Sequence, residues 1–278
     1  MKKVLALLLT LCLLTGCMPR QATPVAAITV AATTAPVAQF AGAIAAGTDV
    51  QVSCVVNEPV SCLHDYTLSV AQMELLENAD AVIVSGLGLE DFMTDILPAG
   101  KPVIDASRSV EVIPGDVHYW LDPEQAEEMA ETIADSLSMM YPMFAETFER
   151  NMELLEARFE QLDSYADTKL RGQRISGLVT FHDGFRYFAD FIDVPLLAAM
   201  EVEAGSELAA KDLMEIVTLV KSRELPAVFT EVNGDSHAAG IVAAETDCKV
   251  YALDTAMGGT DYFDAMKANI DTIREAFS

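Results

Sequence analysis

The feature that most constrains this fold is one long amphipathic run, which lies between two stretches of short alternating segments. Along the run, apolar residues recur every three or four positions, which is the spacing of one stripe on a helix. The stripe consists of Phe144, Phe148, Met152, Leu155, Phe159, Leu162 and Tyr165. Acidic residues beside it predict a solvent-exposed face, with a coiled-coil dimer as the alternative. A helix over 142–170 would span about 40 Å, enough to bridge two lobes as a rigid strut.

On both sides of the run, short apolar segments alternate with helix-like segments. The predicted strands are 26–33, 50–56, 79–85 and 102–105 before the run, and 175–181, 195–200, 227–232 and 250–253 after it. Such alternation is typical of βαβ units and a parallel sheet. We therefore predict an α/β fold of two lobes with central, mostly parallel sheets, joined by one long rigid helix. The predicted domains are an N-terminal lobe at 26–141, the linking helix at 142–170 and a C-terminal lobe at 171–278.

The N-terminus has the pattern of an export signal. Two lysines precede the apolar run Val4–Leu14, which is too short to span a membrane but suits a signal peptide. The run ends in Leu-Thr-Gly-Cys, which resembles a bacterial lipobox; an ordinary signal peptide is the alternative. We predict a signal peptide at 1–16, a lipid on Cys17 and a tether at 17–25. The folded part is then exported and lipid-anchored at the outer face of the cell membrane or in the periplasm.

Charge excludes some classes of partner. The chain has a formal net charge of −26 and a pI of about 4.2. Nucleic acid needs Lys and Arg to neutralise its phosphates, and anionic lipid attracts basic segments, so neither is an expected partner. An acidic surface instead raises the local concentration of cations.

Three cysteines remain once the signal and the lipidated residue are set aside: Cys54, Cys62 and Cys248. An odd number permits at most one internal disulfide. Cys54 and Cys62 are the nearer pair, and buried free thiols are the alternative. The chain contains no Cys-x-x-Cys motif, so the sequence does not support a thiolate zinc site.

Three of the four histidines lie in loop-like segments beside acidic residues. His64 follows a predicted strand, His118 precedes a capped helix, and His182 ends a predicted strand in the other lobe. Ligands of open parallel sheets bind outside the carboxyl ends of the strands, so the three rings can converge in a cleft between the lobes. The fourth histidine, His237, lies near a helix start, where a surface or capping role is expected.

A closed zinc site has four ligands, so a fourth group is expected beside the three imidazoles. Asp254 ends the last predicted strand and can supply a carboxylate oxygen. Other groups could take its place, namely Glu58, Glu201, Glu231 or water. Further acids are candidates for orienting the rings from behind, namely Asp65, Asp122 and Asp183.

Several of these segments together resemble the zinc- and manganese-binding lipoproteins of ABC importers, the cluster A-I or cluster 9 solute-binding proteins. The matching segments are His64-Asp65-Tyr66, Gly86-Leu87-Gly88-Leu89-Glu90, His118-Tyr119-Trp120-Leu121-Asp122-Pro123, Phe181-His182-Asp183-Gly184-Phe185 and Leu253-Asp254. The resemblance implies a monomeric metal receptor, not an enzyme, that serves a membrane permease and its ATPase. It also implies a metal site formed by His64, His118, His182 and Asp254 in the interlobe cleft.

Ligand chemistry favours Zn²⁺ as the cargo. Three imidazoles and one carboxylate suit zinc, whereas carboxylate-rich sites suit manganese. Manganese importers of the family often place Glu where His182 stands. The His- and acid-rich loop of many zinc-specific members is absent, because the segment from Asp105 to His118 is short and contains no other histidine. The alternatives are a Mn²⁺ receptor, a metal-dependent surface adhesin and, as the third choice, a zinc enzyme.

Overall fold

Two parallel sheets form the framework of the molecule. The computed structural model describes residues 27–58, 63, 66–97, 100–200 and 210–278. The predicted signal peptide, the whole tether with Cys17, and His64 lie outside the described residues. The first sheet has the order β2-β1-β3-β4, with every pairing parallel. Its elements are β1 (Ile28–Ala32), α1 (Ala35–Ala45), β2 (Val50–Cys54), α2 (Val70–Asn78), β3 (Ala81–Val84) and β4 (Val103–Asp105).

The second sheet repeats this arrangement in the C-terminal half, with the order β6-β5-β7-β8 and parallel pairing throughout. Its strands are β5 (Leu178–Thr180), β6 (Leu196–Ala199), β7 (Ala227–Glu231) and β8 (Lys249–Leu253). The α/β fold with parallel sheets, predicted from the alternation of segments, is therefore confirmed. The lobe boundaries at 141 and 171 stay a prediction.

Two consecutive helices connect the sheets. The first, α3 (Pro123–Met140), begins at Asp122, whose carboxylate accepts the backbone N–H of Glu124. A 3₁₀ turn at Pro142–Phe144 follows, and α4 (Ala145–Leu170) then runs for 26 residues, or about 39 Å. The long helix predicted at 142–170 thus starts three residues later, because the proline-led turn precedes it.

The apolar stripe of α4 packs into the core of its own chain. Its middle residues Phe148, Met152, Leu155, Phe159 and Leu162 are buried. The aromatic rings of Phe159, Phe40 on α1 and Tyr262 on the last helix lie 5.0–6.0 Å apart, centroid to centroid. One continuous core contains side chains of both sheets, so the coiled-coil alternative is not needed to bury the stripe.

The remaining helices complete the second half. They are α5 (Arg186–Phe191), α6 (Ala210–Arg223), α7 (His237–Thr246) and α8 (Tyr262–Ala276). Within the described ranges, no helix combines the length and the apolarity needed to cross a membrane.

The acidic face of α4 is largely exposed, as predicted, and part of it also approaches a second helix. Carboxylates of α4 lie within electrostatic reach of carboxylates at the start of α3 and along it. We call this group the acidic seam; its members are Asp122, Glu124, Glu127, Glu131, Glu156, Glu160, Asp163 and Asp167. Two like-charged rows therefore run between α3 and α4.

The Gly-x-Gly-x-Glu loop after β3 is built around a buried carboxylate. Glu90 accepts the backbone N–H groups of Ser85 and Gly86 at 2.6 and 3.0 Å and the hydroxyl of Thr33 at 2.5 Å. Burial raises the pKa of Glu90 despite these bonds. Gly86 has φ +87°, and a Cβ there would lie 2.1 Å from Asp105 Oδ1, so only glycine fits.

The described cysteines are free thiols. The Cys54 thiol donates to the carbonyl of Val56 at 3.0 Å, and Cys248 is buried. Burial is the main cause, and together with the nearby Glu58 carboxylate it raises the pKa of Cys54 to about 11. The free-thiol alternative therefore holds for Cys54 and Cys248, and Cys62 lies outside the described residues.

Candidate metal centre

His118 and His182, which are 64 residues apart in sequence, meet at the carboxyl edge of the second sheet. Their Nε2 atoms lie 3.4 Å apart, and the rings cross at 79°. Zinc binds imidazole nitrogen at 2.0–2.1 Å in a tetrahedron, which separates two ligand nitrogens by about 3.3–3.4 Å. The two Nε2 atoms therefore have the spacing of two ligands to one tetrahedral metal ion.

The fold brings the two rings together from different elements. His182 lies two residues beyond β5, and its carbonyl accepts the Thr180 hydroxyl at 2.7 Å. Strand β5 lies between β6 and β7, at the point where the strand order reverses, which is where ligands bind in open parallel sheets. His118 precedes a 3₁₀ turn at Tyr119–Leu121 that leads into α3.

Gly184 leaves room for this close approach. A Cβ built on Gly184 would lie 2.5 Å from His118 Nδ1 and 2.6 Å from His182 Nε2. Both distances are far shorter than van der Waals contact, so any side chain here would need the rings to shift. The His-Asp-x-Phe motif specifies no residue type at position 184, and the structure gives a steric reason for glycine there.

His118 is held by a carboxylate from its own loop. Asp116 Oδ1 lies 2.8 Å from both the Nδ1 and the backbone nitrogen of His118, and Oδ2 accepts the backbone N–H of Arg186 at 3.1 Å. Burial raises the pKa of Asp116, but the bonds from His118 and Arg186 outweigh burial and lower it overall. An ionised carboxylate can only accept, so Nδ1 carries the proton and Nε2 keeps its lone pair.

A second buried carboxylate lies behind His182. Glu231 ends β7, its side chain is 2% exposed, and its Oε2 lies 3.8 Å from His182 Nδ1. Its Oε1 accepts the hydroxyl of Thr255 at 3.1 Å. Each ring thus has a carboxylate on its Nδ1 side and the other ring on its Nε2 side.

The two supports are joined through the core. The Trp120 indole N–H donates to the carbonyl of Thr255 at 2.8 Å, and the Tyr262 hydroxyl donates to the carbonyl of Trp120 at 2.8 Å. Trp120, Thr255 and Tyr262 are all buried. The loop that holds His118 is therefore fixed to the end of the second sheet by hydrogen bonds without solvent access.

The other predicted site residues have varied positions. His64 lies outside the described residues, as does Glu201. Asp254 directly follows β8, beside the end of β7, where its carboxylate accepts the backbone N–H of Ala256 at 2.8 Å. Glu58 is exposed and bonds to the Tyr66 hydroxyl, and His237 is exposed at the start of α7. Among the described residues, no three His, Cys, Asp or Glu side chains form a metal-binding group.

The acid that contacts His118 was not among the three candidates for orienting the rings. Asp122 was a candidate, but it caps α3 and belongs to the acidic seam. The partner is Asp116, which was visible as an Asp-x-His spacing. Glu231, by contrast, was considered only as a substitute ligand. No local spacing points to its place behind His182, because 49 residues separate them and only the β5–β7 pairing brings the strands together.

Proteins with related sequences include named metal-binding proteins. The zinc-binding protein TroA of Treponema pallidum is 28% identical over 183 residues, which cover 60% of this chain and 59% of TroA. The manganese-binding lipoprotein MntA of Halalkalibacterium halodurans is 24% identical over 233 residues, 77% of each chain. This chain thus spans less than two thirds of the length of TroA.

The fold is also found among solved structures. A crystal structure of a ZnuA deletion mutant with zinc bound is 27% identical and has a TM-score of 0.80, over 91% of this chain and 98% of that one. The family described as the zinc-uptake complex component A, periplasmic (ZnuA), matches residues 30–276. This match covers well over half of the sequence. The chain therefore belongs to the ZnuA family of metal-binding solute-binding proteins.

Proposed function

We propose that this protein is an extracytoplasmic receptor that captures Zn²⁺ and delivers it to an ABC-type permease. The observation that carries the proposal is the 3.4 Å separation of the His118 and His182 Nε2 atoms. A buried carboxylate already fixes the first ring with Nε2 as its free acceptor. Relatives named as zinc-binding support the same cargo.

We assign the remaining two ligand positions to His64 and Asp254. His64 belongs to the loop that resembles the His-Asp-Tyr segment of the family. Asp254 follows β8 at the carboxyl edge of the second sheet, next to Glu231 at the end of β7. Three imidazoles and one carboxylate complete the four ligands that zinc prefers. Since only neutral imidazole binds the ion, zinc affinity should fall as acid protonates the ligand histidines.

Manganese is the second candidate cargo, and one relative is named as a manganese-binding lipoprotein. Imidazole suits zinc, while carboxylate suits manganese. Replacing His182 by Glu should therefore shift preference toward manganese. Unchanged zinc selectivity in the His182→Glu variant would contradict the assignment of this ligand.

We propose further that the protein is lipid-anchored through Cys17 and works as a monomer beside a permease and its ATPase. The Leu-Thr-Gly-Cys ending supports the anchor, and the relative MntA is named as a lipoprotein. Metabolic labelling with a radioactive fatty acid tests the anchor. The wild type should incorporate label, and the Cys17→Ala variant should not.

We infer a binding role and no catalysis, because members of the family are receptors. An enzyme with catalytic zinc would lower the pKa of a bound water to about 7 and hydrolyse activated esters. The zinc-loaded protein should hydrolyse such an ester no faster than its His118→Ala variant. A rate that depends on His118 would overturn this part of the proposal.

Native mass spectrometry tests the cargo and the site together. The protein is stripped of metal and then offered zinc and manganese in equal amounts. We expect one tightly held zinc ion, lost from His64→Ala, His118→Ala and His182→Ala. The exposed His237 lies on α7 and provides the matched control, so His237→Ala should retain zinc.

Two other outcomes have definite meanings. A single manganese ion held in preference would keep the family and the site but change the cargo. No metal retained by the folded protein would overturn the site, and the surface adhesin would then become the leading hypothesis.

A further inference from the structure

We propose that Glu231 is a positioning residue for the metal ligand His182, and that Thr255 and Trp120 connect this support to the segment that carries His118. The inference rests on the proposed zinc site and deepens it. Glu231 itself would not touch the ion. Its carboxylate would accept the Nδ1–H of His182 and so leave Nε2 as the ligand atom.

The Glu231 carboxylate lies behind the His182 ring. Glu231 Oε2 lies 3.8 Å from His182 Nδ1, whereas His182 Nε2 faces His118 Nε2 at 3.4 Å. The carboxylate is therefore on the side of the ring that points away from the partner ligand. A closure of about 1 Å would bring Oε2 to hydrogen-bond distance from Nδ1.

Burying the Glu231 carboxylate costs free energy unless partners compensate its charge. The Glu231 side chain is 2% exposed, and an ionised carboxylate in such a place requires compensating partners. The Thr255 hydroxyl supplies one hydrogen bond to Oε1 at 3.1 Å. A His182 ring bound to a dication carries partial positive charge on its Nδ1–H, and this would offset the burial of the carboxylate more strongly than an apo ring would.

Hydrogen bonds connect Glu231 to the segment that carries the other ligand, His118. Thr255 donates its hydroxyl to Glu231, and its carbonyl accepts the Trp120 indole N–H at 2.8 Å. Trp120 is two residues beyond His118, and its ring centroid lies 5.3 Å from that of His118. One run of buried hydrogen bonds thus links the support of one ligand to the backbone segment of the other.

The comparison between the two rings gives the chemical expectation. Metal-binding histidines usually donate their second ring nitrogen to a carboxylate or carbonyl, and loss of that partner weakens metal binding by about 10- to 100-fold. Asp116 already does this for His118 at 2.8 Å. Glu231 has the equivalent place for His182, but a different strand supplies it.

The test measures zinc affinity and the tautomer of His182 in the purified full-length protein. We expect Glu231→Gln to weaken zinc binding about tenfold in a competition with a chromophoric chelator. The ¹⁵N chemical shifts of the His182 ring in the zinc-bound wild type should report a proton on Nδ1 and zinc on Nε2. The same shifts for His118 provide an internal reference, because its Nδ1 partner is already in contact.

Two further variants keep the test decisive if Glu231→Gln folds poorly. Thr255→Val removes only the hydroxyl that holds the carboxylate and should weaken zinc binding about two- to tenfold. The matched control is Glu90→Gln, which alters another buried carboxylate, at the end of the first sheet. It should lower the melting temperature of the apo protein and leave the zinc affinity within about twofold of wild type.

The outcomes separate this inference from the proposed function. Wild-type zinc affinity and unchanged His182 shifts in both Glu231→Gln and Thr255→Val would overturn the positioning role, while loss of zinc from His182→Ala would still support the site. A crystal structure of the zinc form with a Glu231 oxygen about 2.0–2.2 Å from the ion would also overturn it. Zinc retained by both His118→Ala and His182→Ala would refute the proposed function itself.

Discussion

The carboxylates at the candidate metal centre and those of the acidic seam are the same residue types in opposite situations. Asp116 is buried, yet its pKa is lowered, because an imidazole and two backbone N–H groups donate to it. Glu127 of the seam is only partly buried, yet its pKa is raised to about 7. Burial is the first cause, and the carboxylates of Glu131 and Glu156 are the next.

At Asp116 the donated hydrogen bonds together outweigh burial, whereas at Glu127 burial and neighbouring carboxylates act in the same direction. At the centre, each carboxylate lies beside an imidazole that can share a proton with it. Along the seam, carboxylates of α3 face carboxylates of α4, and Asp122 is raised to a pKa of about 6 chiefly by burial. The centre is therefore arranged for a cation, whereas the seam gains from protons or from screening salt.

The largest expected effect separates two acids that lie six residues apart. Asp116→Asn should weaken zinc binding about 10- to 100-fold, because an amide no longer provides the charge that fixes His118. Isothermal titration with zinc in a weak competing buffer measures the loss. Asp122→Asn is the matched control, since asparagine also caps a helix well.

The control should keep the zinc affinity of the wild type and raise the melting temperature slightly, because it removes one seam charge. Equal losses of zinc affinity in Asp116→Asn and Asp122→Asn would mean that the comparison between centre and seam is wrong. In that case net negative charge near the site, and not the contact with His118, would govern affinity.

Most of the fold followed from the periodicity of the sequence. All eight described strands and the long helix were predicted within a few residues, since buried parallel strands are short apolar runs between turns. The main shift is at the start of α4, where Pro142–Phe144 form a 3₁₀ turn. What periodicity could not predict is which helix the acidic face of α4 would meet, because that depends on the packing of α3.

The site was predictable in part for a similar reason. His118 and His182 were recognisable from their positions at segment ends, and the structure brings them together. Asp116 was within reach of a local rule, since an acid two residues before a histidine can bond to both its ring and its backbone. Glu231 was not, because its distance to His182 is set by the strand order of the second sheet. The positions of His64 and Asp254 as ligands remain predictions.

Acidification should stabilise the acidic seam and weaken zinc binding at the candidate metal centre. Between about pH 8 and 5.5 the apo protein should gain a few degrees in melting temperature, while its zinc affinity falls. Glu127 and Asp122 have folded pKa values of about 7 and 6, above their ordinary values of 4.5 and 3.8. The folded state then binds more protons than the unfolded state, so stability rises as pH falls through this range.

The pKa of Asp116 is shifted in the opposite direction, and it affects folding stability in a lower pH range. Because this pKa is lowered, the stabilisation that ionised Asp116 provides is present above its ordinary pKa of 3.8 and is lost only below that pH. Calorimetry of the apo protein across this range measures the first trend, and zinc titration at each pH measures the second. A melting temperature that falls steadily from pH 8 to 5.5 would contradict the description of the seam.

Added salt should stabilise the acidic seam and should change zinc binding at the candidate metal centre very little. Raising sodium chloride from about 10 mM to about 0.5 M shortens the screening length from roughly 30 Å to less than 10 Å. We expect the apo melting temperature to rise by about 2–4 °C, because repulsion between α3 and α4 weakens. The Asp116–His118 contact is buried and only 2.8 Å long, so zinc affinity should change less than threefold. A larger loss of affinity would indicate that the long-range field of the protein holds the ion.

The smallest effect comes from a single charge of the seam. Glu127→Gln should raise the apo melting temperature at pH 7.5 by about 1–2 °C and flatten its rise between pH 8 and 6, since Glu127 is partly exposed and screened by water. Glu149→Gln is the matched control, because Glu149 is exposed on α4 and is not among the seam residues. The Glu149→Gln substitution should leave the pH dependence of the apo melting temperature unchanged. Equal flattening in both variants would show that net charge acts on stability wherever it lies, whereas flattening confined to Glu127→Gln would assign the pH dependence to the contact between α3 and α4.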